Sequence, residues 1–158
     1  MNKYLRHIKN LCQRHHITLY MGKEYHAYIK DNTFEEIINN DESTPTFSLL
    51  LARTIAIPHI HNRLSYFGAL HEIGHILGNS PLEYPKFECA FSLGKVTRHI
   101  LTDEYRASAI GLKLNKYVPA PYFKQMASNN QANYIAKYES DWNTKLKSRL
   151  NYMTFIER

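Results

Sequence analysis

His71-Glu72-Ile73-Gly74-His75 is the string in this chain whose residue types and spacing could do chemistry. On an α-helix, His71 and His75 lie one turn apart on one face, so both imidazoles can reach a single zinc ion. Glu72 can then point toward the water that zinc activates and take its proton. Zinc suits nitrogen donors with one coordination position left open, and hydrolysis needs a carboxylate beside that position. Both requirements are met within one short segment. A core helix with merely hydrogen-bonded histidines is the plainer alternative, and it leaves Glu72 and the neighbouring glycines without a reason.

A catalytic zinc usually takes three protein ligands. Glu104 is the candidate for the third, with Asp103 and His99 as rivals. Ile100 to Leu114 (ILTDEYRASAIGLKL) is helix-compatible and opens on Thr102, Asp103 and Glu104, an acid-rich start that suits a helix N-terminus. Ala107 follows Glu104 by one turn. A small residue there would let this helix press on the His-bearing one and bring the carboxylate to the metal. His99 is the donor type zinc prefers, but it falls before the expected helix start.

These residues need elements to position them. Arg63 to Gly78 (RLSYFGALHEIGHILG) carries Leu64, Phe67, Leu70, Ile73, Ile76 and Leu77 as a helical apolar stripe. Gly68 and Gly74 each cost about 1 kcal/mol relative to Ala inside a helix, which points to close approach of another backbone or a ligand. Gly78 before Asn79, Ser80 and Pro81 marks the stop. Upstream, Asn2 to His15 has helical spacing at Leu5, Ile8, Leu11 and Cys12, Ile17 to Met21 reads as a strand with Gly22 as a turn, and His26 to Ile29 as a second strand. Phe34 to Asn40 reads as a helical turn and Asp41 to Pro45 as a loop. Thr54, Ile55 and Ile57, at the end of Phe47 to Pro58, favour a strand just before the active helix. Pro81 to Pro85 breaks the chain ahead of a helical segment at Phe87 to Val96. Two more helices are expected beyond Pro119 and Pro121, at 122–138 and 141–153.

The chain resembles the small zincin-like metallopeptidases of the ImmA/IrrE type and related phage or mobile-element proteins. Four pieces carry the resemblance: Arg53 to Pro58 (RTIAIP), His71 to His75, Glu104-Tyr105-Arg106-Ala107, and Pro119. Together they cover about residues 50 to 120. The H-E-x-x-H piece is specific and the Glu-x-x-Ala piece is short. Family members often carry a second acid or a Phe-Ala pair after the Glu, where this chain has Arg106 and Ile110-Gly111. The resemblance implies an α+β, zincin-like domain: a small sheet with an edge strand packed against the active-site helix, and a helical C-terminal part. It implies Zn2+ on His71, His75 and Glu104, with Glu72 as the base.

Composition fits one domain over residues 1–158. Its 44% hydrophobic and 22% charged content is ordinary for a globular protein able to bury a sizeable core. No apolar run reaches the roughly 18 residues of a membrane span. The first residues, MNKYLRHIKNLCQRHH, lack the apolar core of a secretory signal. Cys12 and Cys89 read as free thiols in a reducing, cytoplasmic setting. Charge is uneven. Residues 1–30 hold six Lys and Arg against one acid, and residues 113–158 hold eight against three, so each end is +5; with +6 overall, the stretch between is −4. Basic ends suit an acidic partner or nucleic acid. A nucleic-acid partner is the weaker reading, because no recognised DNA- or RNA-binding motif is present.

The expected function is zinc-dependent hydrolysis of a protein or peptide substrate, with Glu72 activating the water. Tyr66, Tyr105, Arg106 and His99 are chemically able to stabilise the oxyanion. Thr54 to Ile57 could pair with an extended substrate by β-augmentation. Two alternatives are a zinc-containing regulatory or adaptor protein and a nucleic-acid-associated protease.

Overall fold

The computed structural model describes residues 1–31, 47–49, 53–78 and 98–148; expectations for 34–45, 81–96 and 149–153, and for Cys89, lie outside the described residues. The architecture is mixed helix and small sheet, mostly helical, and so α+β in outline.

Helix α1 (Lys3–Arg14) starts where the Asn2 side chain accepts from the Leu5 amide at 2.8 Å, and the same side chain donates to the Ile60 carbonyl at 2.9 Å. It buries Ile8, Leu11 and Cys12. Burial pushes the Cys12 thiol up to about 12, which makes it an inert core group. The chain reverses at His16, in the left-handed region (φ 54°), with the Arg53 guanidinium donating to the His15 carbonyl at 2.6 Å. It then enters β1 (Thr18–Tyr20).

Residues 26–29 are helical and not a strand: they belong to α2 (Lys23–Asp31). Gly22, also left-handed at φ 60°, turns the chain at once into this helix, where Glu24 sits favourably in the first turn and Tyr25 is fully buried. So short a run has too few residues for its period to separate helix from strand.

The sheet order is β1-β3-β2, with β2 at Phe47–Leu49 and β3 at Thr54–Ala56. β1 pairs parallel to β3 (Thr18↔Thr54 to Tyr20↔Ala56), and β2 pairs antiparallel (Leu49↔Thr54 to Phe47↔Ala56). The strand preceding the His71–His75 segment is therefore central, which corrects the edge-strand expectation. Thr54, Ile55 and Ala56 are all buried, as both faces of a middle strand should be. Both of its hydrogen-bonding sides are taken, so Thr54–Ala56 has no edge to offer a substrate.

Helix α3 (Arg63–Leu77) is the element on which most of the others pack. A capping box opens it: Ser65 N–H donates to Asn62 Oδ1 at 2.9 Å and Asn62 N–H to Ser65 Oγ at 3.1 Å. Gly78 closes it, its N–H bonded to the Gly74 carbonyl. Every residue from Tyr66 to Ile76 except Gly68 is buried, because α1, β2 and β3 pack on this helix, as does α4 (Arg98–Leu114). Leu64 does not join the stripe; at 64% exposed it lies in the first turn, outside the core. Helix α5 (Ala120–Ser148) is continuous and packs on α4, where two helices were expected. Lys137 to Trp142 contains no Gly or Pro, and its Ser and Asp cost a helix only a few tenths of a kcal/mol each. No helix among the described residues is long and apolar enough to cross a membrane.

Candidate metal centre

α3 and α4 meet backbone to backbone. A Cβ on Gly74 would overlap the Ala107 carbonyl oxygen, and one on Gly111 would stand 3.2 Å from the Leu70 carbonyl. These contacts pair 74 with 107 and 70 with 111, an antiparallel crossing that sets His71 and His75 opposite Glu104, Asp103 and Ser108. Gly74→Ala should gain about 1 kcal/mol of helix propensity, yet lose more by forcing the helices apart, with overpacking costing about 1–3 kcal/mol. The expected result is a lower thermal midpoint together with weaker metal binding. Unchanged values for both would show that the close approach is dispensable.

The donors converge. His71 Nε2 lies 2.7 Å from Glu104 Oε2 and 3.0 Å from His75 Nε2, and His75 Nε2 lies 3.2 Å from Glu104 Oε1. One ligand atom from each of the three residues falls within 4.8 Å of the others. All three are buried: His71 5%, His75 3% and Glu104 1% exposed. Zinc bonds of about 2.0–2.1 Å in a tetrahedron set donors about 3.3–3.4 Å apart, so the His71–Glu104 separation would open by about 0.6–0.7 Å and the other two by less.

The other ring nitrogens are also held. His75 Nδ1 stands 3.0 Å from Asp103 Oδ2, and His71 Nδ1 stands 2.9 Å from Ser108 Oγ. In the neutral rings that a metal requires, an Nδ1–H donated to each oxygen would free both Nε2 lone pairs for the ion. Asn130, from α5, donates to Glu104 Oε2 at 3.2 Å, and Gln131 next to it donates to the Leu101 carbonyl at 3.1 Å.

Burial alone would lower the His75 pKa. The Glu104 charge, the hydrogen bonds to Asp103 and Glu104, and the Glu72 charge override it and push the imidazole up to about 10. Burial likewise works to raise Glu104, but the His75 and His71 charges hold its carboxyl well below the usual range. A folded pKa raised above the ordinary 6.5 means that the His75 contribution to stability is full below about 6.5 and is lost as pH rises through about 10. The depressed Glu104 contributes above about 4.5 and loses this as pH falls. A metal must displace the His75 proton. Zinc binding near pH 7 should therefore release about one proton, measurable by calorimetry in buffers of different ionisation enthalpy. Buffer-independent heats would contradict this.

His71, His75 and Glu104 thus come together, with Glu72 buried on the same helix and close enough to act on His75. Asp103 supports His75 on its outer nitrogen. α4 begins at Arg98, so the acids lie in its second turn and not at the expected helix start. That helix already includes His99, whose side chain lies outside the described residues. Tyr66 is engaged elsewhere, its hydroxyl bonded to His7 Nδ1 at 2.6 Å and to the Lys116 amide at 3.2 Å. Tyr105 and Arg106 are exposed. Sequence reasoning missed Ser108 and Asn130. Ser108 carried a usable signal, one turn after Glu104 on the same face. Asn130 carried none, since it arrives from another helix.

The different roles of Glu104 and Asp103 predict different losses. Glu104→Gln removes an ionised donor and should abolish stoichiometric zinc binding. Asp103→Asn removes only the support of His75 and should weaken affinity by about 10- to 100-fold. Competition with a chromophoric chelator measures both, and equal losses would mean that the assignment is wrong.

Comparison of the chain with known protein families, with characterised proteins and with solved structures gave no match.

Proposed function

We propose that the protein is a zinc-dependent peptidase with a zincin-like arrangement, in which His71, His75 and Glu104 hold the ion and Glu72 is the base. The observation that carries this reading is the convergence of two Nε2 atoms and one carboxylate in a buried site, with Glu72 adjacent in the chain to the first ligand. Zinc in such a site lowers the pKa of a water toward neutrality and polarises a carbonyl. Glu72 accepts the proton of the attacking water and returns it to the leaving nitrogen. Asp103 and Ser108 hold the imidazoles in the tautomer the ion needs, and Asn130 orients the Glu104 carboxylate. β2 is unpaired on its outer side among the described residues and packs against α3. It is the strand whose backbone an extended peptide could join.

Enclosure of the site also favours a second reading, a structural zinc in a regulatory or adaptor protein, since all four residues are no more than 7% exposed. Incubation with a diverse peptide library separates the two. The peptidase reading expects cleavage by the zinc-loaded protein, loss with a chelator and recovery on adding zinc. Stoichiometric zinc without cleavage would favour the structural role.

A further inference from the structure

The two basic ends of the sequence meet in the fold. α1 begins at Lys3, the α4–α5 connection carries Lys116 and Tyr117, and both border one aromatic cluster. The Tyr4 and Tyr117 rings lie 6.1 Å apart and nearly perpendicular, and His7 meets Tyr117 edge-on at 5.7 Å. Tyr66 anchors the cluster from α3, 4.9 Å from the Tyr4 ring. Lys3 Nζ stands 5.3 Å from the Tyr4 centroid and 5.4 Å from that of Tyr117, and Lys116 Nζ stands 5.4 Å from the Tyr117 centroid. Arg14 lies on the same face of α1 as Lys3 and His7, about three helical turns beyond Lys3 and about two beyond His7. After burial, the charges of Lys116 and Arg14 hold the His7 imidazole below its ordinary value.

Lys3, Arg14 and Lys116 are exposed, and Tyr4 and Tyr117 are half-buried. No carboxylate among the described residues forms an ion pair with these cations. Grouping like charges without a counter-charge is unfavourable for the chain alone and favourable for a polyanion. We propose that this face binds single-stranded nucleic acid, with phosphates on Lys3, Arg14 and Lys116 and a base against Tyr117. Cations interleaved with partly exposed aromatic rings are what an unpaired strand engages, because only there are base faces free to stack. Acidic protein segments would use the cations but have no need of the rings.

The test is anisotropy of a fluorescein-labelled oligothymidylate of about 20 nucleotides with the full, zinc-loaded chain. Three phosphate contacts give a slope of about −2 in log affinity against log salt, or about a 20-fold loss between about 50 and 200 mM. Lys3→Gln with Lys116→Gln should cut that slope by about 1.4. Tyr117→Ala should lower affinity about 5- to 150-fold at an unchanged slope, and Tyr117→Phe should retain binding. Zinc content and circular dichroism verify the fold of each variant, and the exposed lysines are tolerant positions if Tyr117→Ala proves unstable. Undiminished binding in the lysine double variant would overturn the proposal. So would equal competition by poly-glutamate or by duplex DNA.

Discussion

Glu72→Gln is expected to lower peptide hydrolysis by about 10²- to 10⁴-fold, the usual contribution of a general base, while zinc content stays near one per chain. The Glu72 carboxylate is buried, follows the first ligand in the chain and is close enough to act electrostatically on His75. The convergent donor set, however, consists of His71, His75 and Glu104 without it. Gln keeps the size and part of the hydrogen bonding and removes only the ability to take a proton. The measurement pairs elemental analysis with cleavage of whichever library peptide the wild type cuts. Full activity would place the base elsewhere, and loss of zinc would make Glu72 a ligand.

His71→Ala and His75→Ala should each lose stoichiometric zinc, because two donors remain where three were needed. They should differ in stability. His75 bridges two carboxylates, 3.0 Å from Asp103 and 3.2 Å from Glu104. Its removal takes an ion-pair partner from buried Asp103 and one of two histidines from buried Glu104, and breaking a buried pair in this way costs about 3–5 kcal/mol. His71 has a neutral hydroxyl on its outer nitrogen and one carboxylate on its inner one, so its loss strands less charge. His75→Ala should thus have the lower thermal midpoint of the two. Retention of one zinc per chain in both variants would refute the ligand assignment.

The legible parts of this protein were those written in local spacing. Gly78 ends α3 just past its apolar run, and the one-turn interval from His71 to His75 is a property of any helix. Glu104 was reachable because Ala107 and Gly74 are small at the positions where the two helices meet. What escaped depended on partners remote in sequence. β3 looks like an edge strand until β1 and β2 flank it, and Leu64 looks like core until the first turn of α3 is found outside it. The interval 26–29 supports either period. The helical start at Arg98 was masked by Thr102, Asp103 and Glu104, whose acid-rich run is the more conspicuous start in the sequence.

The two glycine crossings have a consequence for redesign. The spacing between the facing donor sets is fixed by main chain on main chain, not by the donors themselves. Frame and coordination chemistry are therefore separable, and donors can be exchanged while the gauge between the helices stays the same. Glu104→His would present three imidazoles across an unchanged gap, and Glu104→Asp would shorten one arm by a methylene. Metal preference could then be surveyed as a function of donor type alone, with Gly74 and Gly111 acting as the fixed ruler.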